Sequence, residues 1–219
     1  MPLWQPEPAP GRYGALLLLL IAGYLLSAFI DERWIGALQV VLFTAVMILA
    51  LRSSSVSRRA VRVLLFTAVA GVPVFFFLSI STVTGDTGTG VANVWTGLVL
   101  LAAVVMIVRR VLTFGTVTLQ SIFGAFSAYM IVGLMFASFF AAIYHFSGDV
   151  FFANNQPGNT QTFQYFSFTT LTTLGYGDFT ALENGGRAVA VLEALTGQVF
   201  LATLVARLVA AFRTADRQG

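Results

Sequence analysis

The chain has 219 residues, 58% of them hydrophobic and 10% charged, with a formal net charge of +3 and a mean hydropathy of +0.86. A soluble domain carries about 25% charged residues, so this composition excludes an ordinary water-dissolved fold and predicts a chain that lies in lipid. There is no cysteine, one histidine (His145) and no lysine among the twelve basic residues. That excludes disulfides and thiolate metal centres, a multi-ligand zinc site and any lysine nucleophile, and the small positive balance leaves no nucleic-acid footprint.

In chain order, residues 1–12 hold Pro2, Pro6, Pro8 and Pro10 and read as a disordered tail. Six apolar runs follow, at 13–30, 34–51, 63–83 (with Pro73 inside it), 91–108, 119–146 and 188–212. Each is long enough, at about 1.5 Å per residue, to cross most of a roughly 30 Å hydrocarbon layer. The first run reads as a retained helix rather than a cleaved signal. With the amino terminus inside, Arg12, Arg52, Arg58, Arg59, Arg62, Arg109, Arg110, Arg207, Arg213 and Arg217 all fall on the cytoplasmic side. Only Arg33 and Arg187 fall outside, where Asp31, Glu32, Asp86, Asp149, Asp178 and Glu183 collect. This is the asymmetry of the positive-inside rule. It predicts six crossings with both termini cytoplasmic.

The fourth run ends in Arg109-Arg110 but carries no arginine within it. A voltage sensor moves several charges across the field, so residues 13–110 read as a four-helix domain of sensor-like topology without sensor chemistry. The two arginines read as orientation signals. Residues 111–118 form an inner linker, 119–212 a second membrane unit, and 213–219 a short tail with no room for a cytoplasmic ligand-binding domain.

Between the fifth and sixth runs, residues 147–187 contain an apolar patch at 163–174 that is too short to span. Such a patch reads as a re-entrant segment, tolerated at membrane depth only where protein surrounds it or it lines water. Asn159 or Thr160 is placed to cap a short helix ending near Thr172. Its carboxyl end carries partial negative charge. Gly175 and Gly177 flank Tyr176 and permit backbone angles closed to other residues, so that successive carbonyls can face one way.

The stretch Thr173-Leu174-Gly175-Tyr176-Gly177-Asp178 resembles the selectivity filter of potassium channels, with Leu174 in place of the usual valine. Residues 119–212 resemble the two-helix pore module of that family, and the last run is similar to the sixth helix of small prokaryotic channels of this class. The resemblance implies an all-α integral membrane protein whose pore is shared by a homotetramer. It implies that the carbonyls of Thr173, Leu174, Gly175 and Tyr176, with the Thr173 hydroxyl, hold dehydrated K+ in stacked oxygen rings, each subunit supplying one wall. It also implies Asp178 at the outer mouth, Thr169, Thr170 and Glu193 supporting the filter from behind (or Glu193 as a merely structural carboxyl), and Gly197 as a gating hinge or, equally, a site of close helix packing. Gln198, Leu201, Val205 and Val209 would line the cavity and gate.

Glu193 is the one acid inside a predicted span and is by default a functional candidate. It is expected to hydrogen-bond Thr169 and Thr170. Two features depart from the family pattern: Ala181 stands where a proline is usual, and Tyr165-Phe166 replaces a tryptophan pair, which predicts a missing tether on the filter. His145 reads as an interfacial polar contact with a capacity to titrate near neutral pH, and Trp4, Trp34 and Trp95 read as an aromatic belt. The sequence thus predicts a passive, K+-selective channel in a plasma membrane. Its partners are K+, the lipid bilayer and other copies of the chain, with no cofactor beyond the transported ion. The rival readings are a nonselective monovalent cation channel and a non-conducting regulatory membrane subunit. A membrane enzyme would need a cluster of catalytic polar groups that the sequence does not offer.

Overall fold

The computed structural model describes residues 12–27, 29, 85–113, 118–148 and 150–215. The predicted second and third spans, most of the amino-terminal tail and part of the inner linker lie outside the described residues. The described chain is dominated by helices: α1 Arg12–Ser27, α2 Gly85–Thr113, α3 Leu119–Ser147, α4 Thr160–Leu171 and α5 Asn184–Ala215. Within them, three stretches are long and apolar enough to cross a membrane, Asp86–Leu112, Leu119–Ser147 and Asn184–Arg207.

Helix α2 is longer at both ends than its apolar run. Gly85 to Gly90, which precede the apolar run at 91–108, are already helical. Asp86 in the first turn and Arg110 in the last complement the helix dipole, and Gly90 lies against the ring of Phe146, which would collide with any Cβ there. Two turns further on, Gly97 receives Phe139 in the same way. Two glycines seven residues apart thus accept two phenylalanines seven residues apart on the neighbouring helix. Small residues that let membrane helices approach closely serve the same purpose elsewhere.

Helix α3 is the hub, packing against α1, α2, α4 and α5. Its start is set by a capping box in which Thr118 accepts from the Ser121 N–H and Ser121 answers at the Thr118 N–H. It stops where Gly148 turns left-handed (φ 67°) and returns its N–H to the Tyr144 carbonyl.

The abundance of phenylalanine has a local explanation at the outer end. Phe140 meets Phe166 at 4.9 Å between centroids, and Phe152 stacks on Phe163 at 5.3 Å. Phe151 lies 5.2 Å from Phe163. Aromatic pairs contribute roughly 0.5–1.5 kcal/mol each beyond burial, so this cluster fastens α4 to α3. The chain before α4 is also tied to the chain after residue 178. Phe152 and Ala181 form an antiparallel bridge, with the Ala153 N–H donating to the Thr180 carbonyl (2.9 Å) and the Leu182 N–H to the Phe151 carbonyl (2.8 Å).

Candidate ion-conduction site

Helix α4 starts as the sequence predicts. Asn159 accepts from the Thr162 N–H, and the Thr162 hydroxyl accepts from the Asn159 N–H (2.9 Å). The helix ends at Leu171, and the chain turns out of it in a specific way. The Thr173 N–H donates to the Thr170 carbonyl (3.0 Å), and the Leu174 and Gly175 N–H groups both donate to the Thr169 carbonyl (2.8 and 3.2 Å). Thr169 and Thr170 therefore hold the next segment through backbone oxygens. The Thr169 hydroxyl is occupied within its own helix, donating to the Phe166 carbonyl.

Within 173–178, Thr173, Gly175 and Gly177 have left-handed φ values of 58°, 51° and 81°, and the residues between them do not. Alternating the hand at every second residue swings successive carbonyls toward one side, whereas an ordinary strand alternates them. Glycine adopts this freely; Thr173 does so at a cost of order 1–3 kcal/mol, the kind of strain retained where function requires it. Leu174 and Tyr176 are exposed.

At the exit of this segment the Tyr165 hydroxyl donates to Asp178 Oδ2 (2.8 Å). Asp178 Oδ1 accepts from the Phe179 N–H (3.1 Å), and Asn154 Nδ2 donates to the Asp178 carbonyl. The Asp178 contact is the main reason the Tyr165 phenol is pushed up to about 12 from its usual 10. Ala181, in the position of the usual proline, is buried within the outer bridge, where its carbonyl accepts from Arg187 Nε (3.0 Å).

Glu193 on α5 is completely buried behind α4. Its partner is Ser167, not Thr169 or Thr170: the Ser167 hydroxyl contacts Glu193 Oε1 and also reaches the Gly133 carbonyl (2.6 Å). The threonine expectation fails because Ser167 occupies the turn of α4 that faces both α3 and α5. A hydroxyl has one hydrogen. Both contacts are satisfied together when the carboxyl donates to Ser167 and Ser167 donates to Gly133, an arrangement that avoids an unpaired buried charge. Replacing Glu193 by glutamine, which keeps a donor, should cost less than about 1 kcal/mol. Replacement by leucine leaves Ser167 with only its bond to the Gly133 carbonyl and an unmet acceptor oxygen, and should cost roughly 1–3 kcal/mol. Thermal unfolding of the two variants side by side checks this, and equal losses would exclude the relay.

Four residues further on, Gly197 is pressed against the end of α4, where a Cβ would collide with the Leu171 carbonyl. Tyr129 donates to that same oxygen (3.1 Å). Helix α5 continues unbroken past Gly197. Gln198, Leu201 and Val205 are exposed, as is most of this helix, and the Val209 side chain lies outside the described residues. Near the carboxyl end of α3, His145 Nδ1 lies 3.5 Å from Asp86 Oδ1 at the start of α2. Among the described residues no group of acids and histidine could hold a metal ion.

Sequence reasoning missed Ser167, Tyr129, Asn154 and the role of Tyr165. A serine or tyrosine in an apolar run has no local mark that separates a free hydroxyl from one aimed at a distant carbonyl.

Residues 134–214 match a protein-family model described as "Ion channel". No curated protein matches the chain, and no solved structure does. The matched stretch begins within α3 and takes in α4, the 173–178 segment and nearly all of α5. Residues 134–214 are therefore similar to an ion-channel domain, and they lie largely on helices long and apolar enough to cross a membrane.

Proposed function

We propose that the protein is one subunit of a homotetrameric, K+-selective channel, with 173–178 as its selectivity filter and α4 as its pore helix. The observation that carries this reading is the alternation of left-handed φ at Thr173, Gly175 and Gly177, directly after a helix carboxyl end. Four copies around an axis would stack the carbonyls of Thr173, Leu174, Gly175 and Tyr176 into rings that replace the hydration shell of K+, and four α4 carboxyl ends would favour a cation beneath them. The exposed Gln198, Leu201 and Val205 would face the cavity. The chain would cross a plasma membrane six times with both termini cytoplasmic and conduct passively.

The bond from Tyr165 to Asp178 supports an ordered exit from the filter, while the case for poor selectivity rests on the absent outer-mouth proline and tryptophans. Tyr165→Phe removes that bond alone, and K+ flux should fall several-fold with a reduced preference over Na+. The phenol's raised value means the bond is intact below pH about 10 and is lost as pH rises through about 12. The difference between Tyr165→Phe and the parent should therefore stay constant from pH 6 to 9, roughly; a difference that titrates in that window would assign the effect to another group.

Reconstitution in liposomes tests the function itself. K+-driven flux with little Na+-driven flux is the expected result. Equal fluxes would establish a nonselective cation channel, and an intact tetramer passing neither ion would favour a non-conducting subunit.

A further inference from the structure

Helix α1 belongs by sequence to the amino-terminal domain, yet it lies along the pore unit. Its buried stripe, Tyr13, Leu16, Leu20 and Ser27, has helical spacing. At its inner end the Tyr13 N–H donates to Gln120 Oε1 of α3 (3.3 Å), and the Tyr13 ring sits over Gly124. At its outer end it leaves α3 for α4. Gln161 Nε2 donates to the Ser27 carbonyl (2.6 Å), one of the oxygens a helix end leaves without an internal partner. The Ser27 hydroxyl shares its hydrogen between the Tyr24 carbonyl (2.6 Å) and Gln164 Oε1 (3.1 Å). Ser27 and Gln164 are both 5% exposed. One turn deeper, Tyr24 packs edge-on against Phe168 at 4.8 Å, and the Phe168 ring also fills the space over Gly133.

We propose that α1 is a positioning element of the conduction unit: Ser27 and Tyr24 set the placement of α4 and, through it, of the 173–178 segment. The inference rests on the channel reading for its consequence, though not for its geometry. The contacts follow α4 downward in order, Gln161, Gln164, then Phe168. The Phe168 carbonyl accepts from the Thr172 N–H (3.1 Å) and the Thr172 hydroxyl (2.7 Å). The next carbonyl, that of Thr169, takes the Leu174 and Gly175 N–H groups. A displaced α1 thus moves the oxygen on which the filter backbone hangs. Where water is absent, polar contacts such as these fix register, because a displaced group finds no substitute partner. The amino-terminal helices thereby gain a route to the filter that bypasses the linker before α3. A neighbouring flank of α4 is braced by Glu193 through Ser167, so the short helix is held on two flanks by different parts of the chain.

The test is amide hydrogen exchange at Leu174 and Gly175 in the purified full chain, with K+ flux per intact assembly measured in parallel. Ser27→Ala, which leaves Gln164 without that hydroxyl, should speed exchange at both amides and lower flux, each by roughly fivefold, the factor expected for one buried hydrogen bond. Ser27→Thr, which keeps the hydroxyl, should restore both. If Ser27→Ala does not assemble, Tyr24→Leu serves in its place, since it loosens the Phe168 contact and keeps Ser27. Faster exchange confined to α1, with Leu174 and Gly175 at parent rates, would overturn the proposal and leave α1 a merely structural strut. Absence of K+-selective flux from the parent protein would overturn the channel reading instead, while exchange at the two amides would still decide whether α1 positions them.

Discussion

Gly175→Ala should abolish K+ flux, by at least about a hundredfold, while leaving the helices intact. The reason is conformational rather than steric. Within the subunit an added Cβ at Gly175 meets nothing within 4 Å. What alanine opposes is the left-handed φ of 51°, which costs an ordinary residue roughly 1–2 kcal/mol. Four copies at one axis would multiply that to roughly 4–8 kcal/mol per filter, and the local escape is to rotate the peptide, which turns a carbonyl away from the ion path. Gly185→Ala is the control. That site is also open, but it lies in the first turn of α5 without a left-handed φ, so flux should stay at the parent level. Liposome flux with circular dichroism on both variants makes the comparison. Parent-level flux in Gly175→Ala would remove the carbonyl-ring account.

Gly197→Ala should be the most destabilising single-methyl change in the pore unit, and it separates two roles for this glycine. A hinge acts when α5 bends, so alanine there would alter opening and leave unfolding nearly unchanged. The observed packing requires something else. The new Cβ would strike the Leu171 carbonyl, a backbone atom that cannot rotate aside, and that oxygen also receives the Tyr129 hydroxyl. Overpacking of this kind costs typically about 1–3 kcal/mol, with a further amount of order 1 kcal/mol if the Tyr129 bond is lost. The expected result is a thermal midpoint several degrees lower together with reduced K+ flux. Tyr129→Phe should reproduce only the smaller part. An unchanged midpoint with altered open probability would favour the hinge.

Several features were legible because they are written in contiguous residues. The boundaries of α4 followed from Asn159 at its start, and the unusual backbone after it from Gly175 and Gly177. The arginine asymmetry predicts an orientation without any packing information, since it depends only on which loops carry charge. The family match at 134–214 covers this same contiguous region. Thr173 was not legible as a left-handed residue, because a β-branched side chain argues against that conformation. It is imposed by the pull of the Thr169 and Thr170 carbonyls on the N–H groups around it.

Composition, apolar runs, charge asymmetry and the glycine-bearing segment were thus determined by the sequence alone, each through a property that a residue has whatever lies far from it. The partners of the polar side chains were decided only by tertiary structure. Ser167 meets Glu193 26 positions away, Tyr129 meets Leu171 42 away, and Ser27 meets Gln164 137 away. In an apolar chain hydropathy is nearly uniform around each helix, so it does not say which face packs against which neighbour. That choice is made by shape, glycine against phenylalanine, and by the few hydroxyls and amides that must find one another where no water will serve. The same physics sets α1 against the short helix that holds the proposed filter.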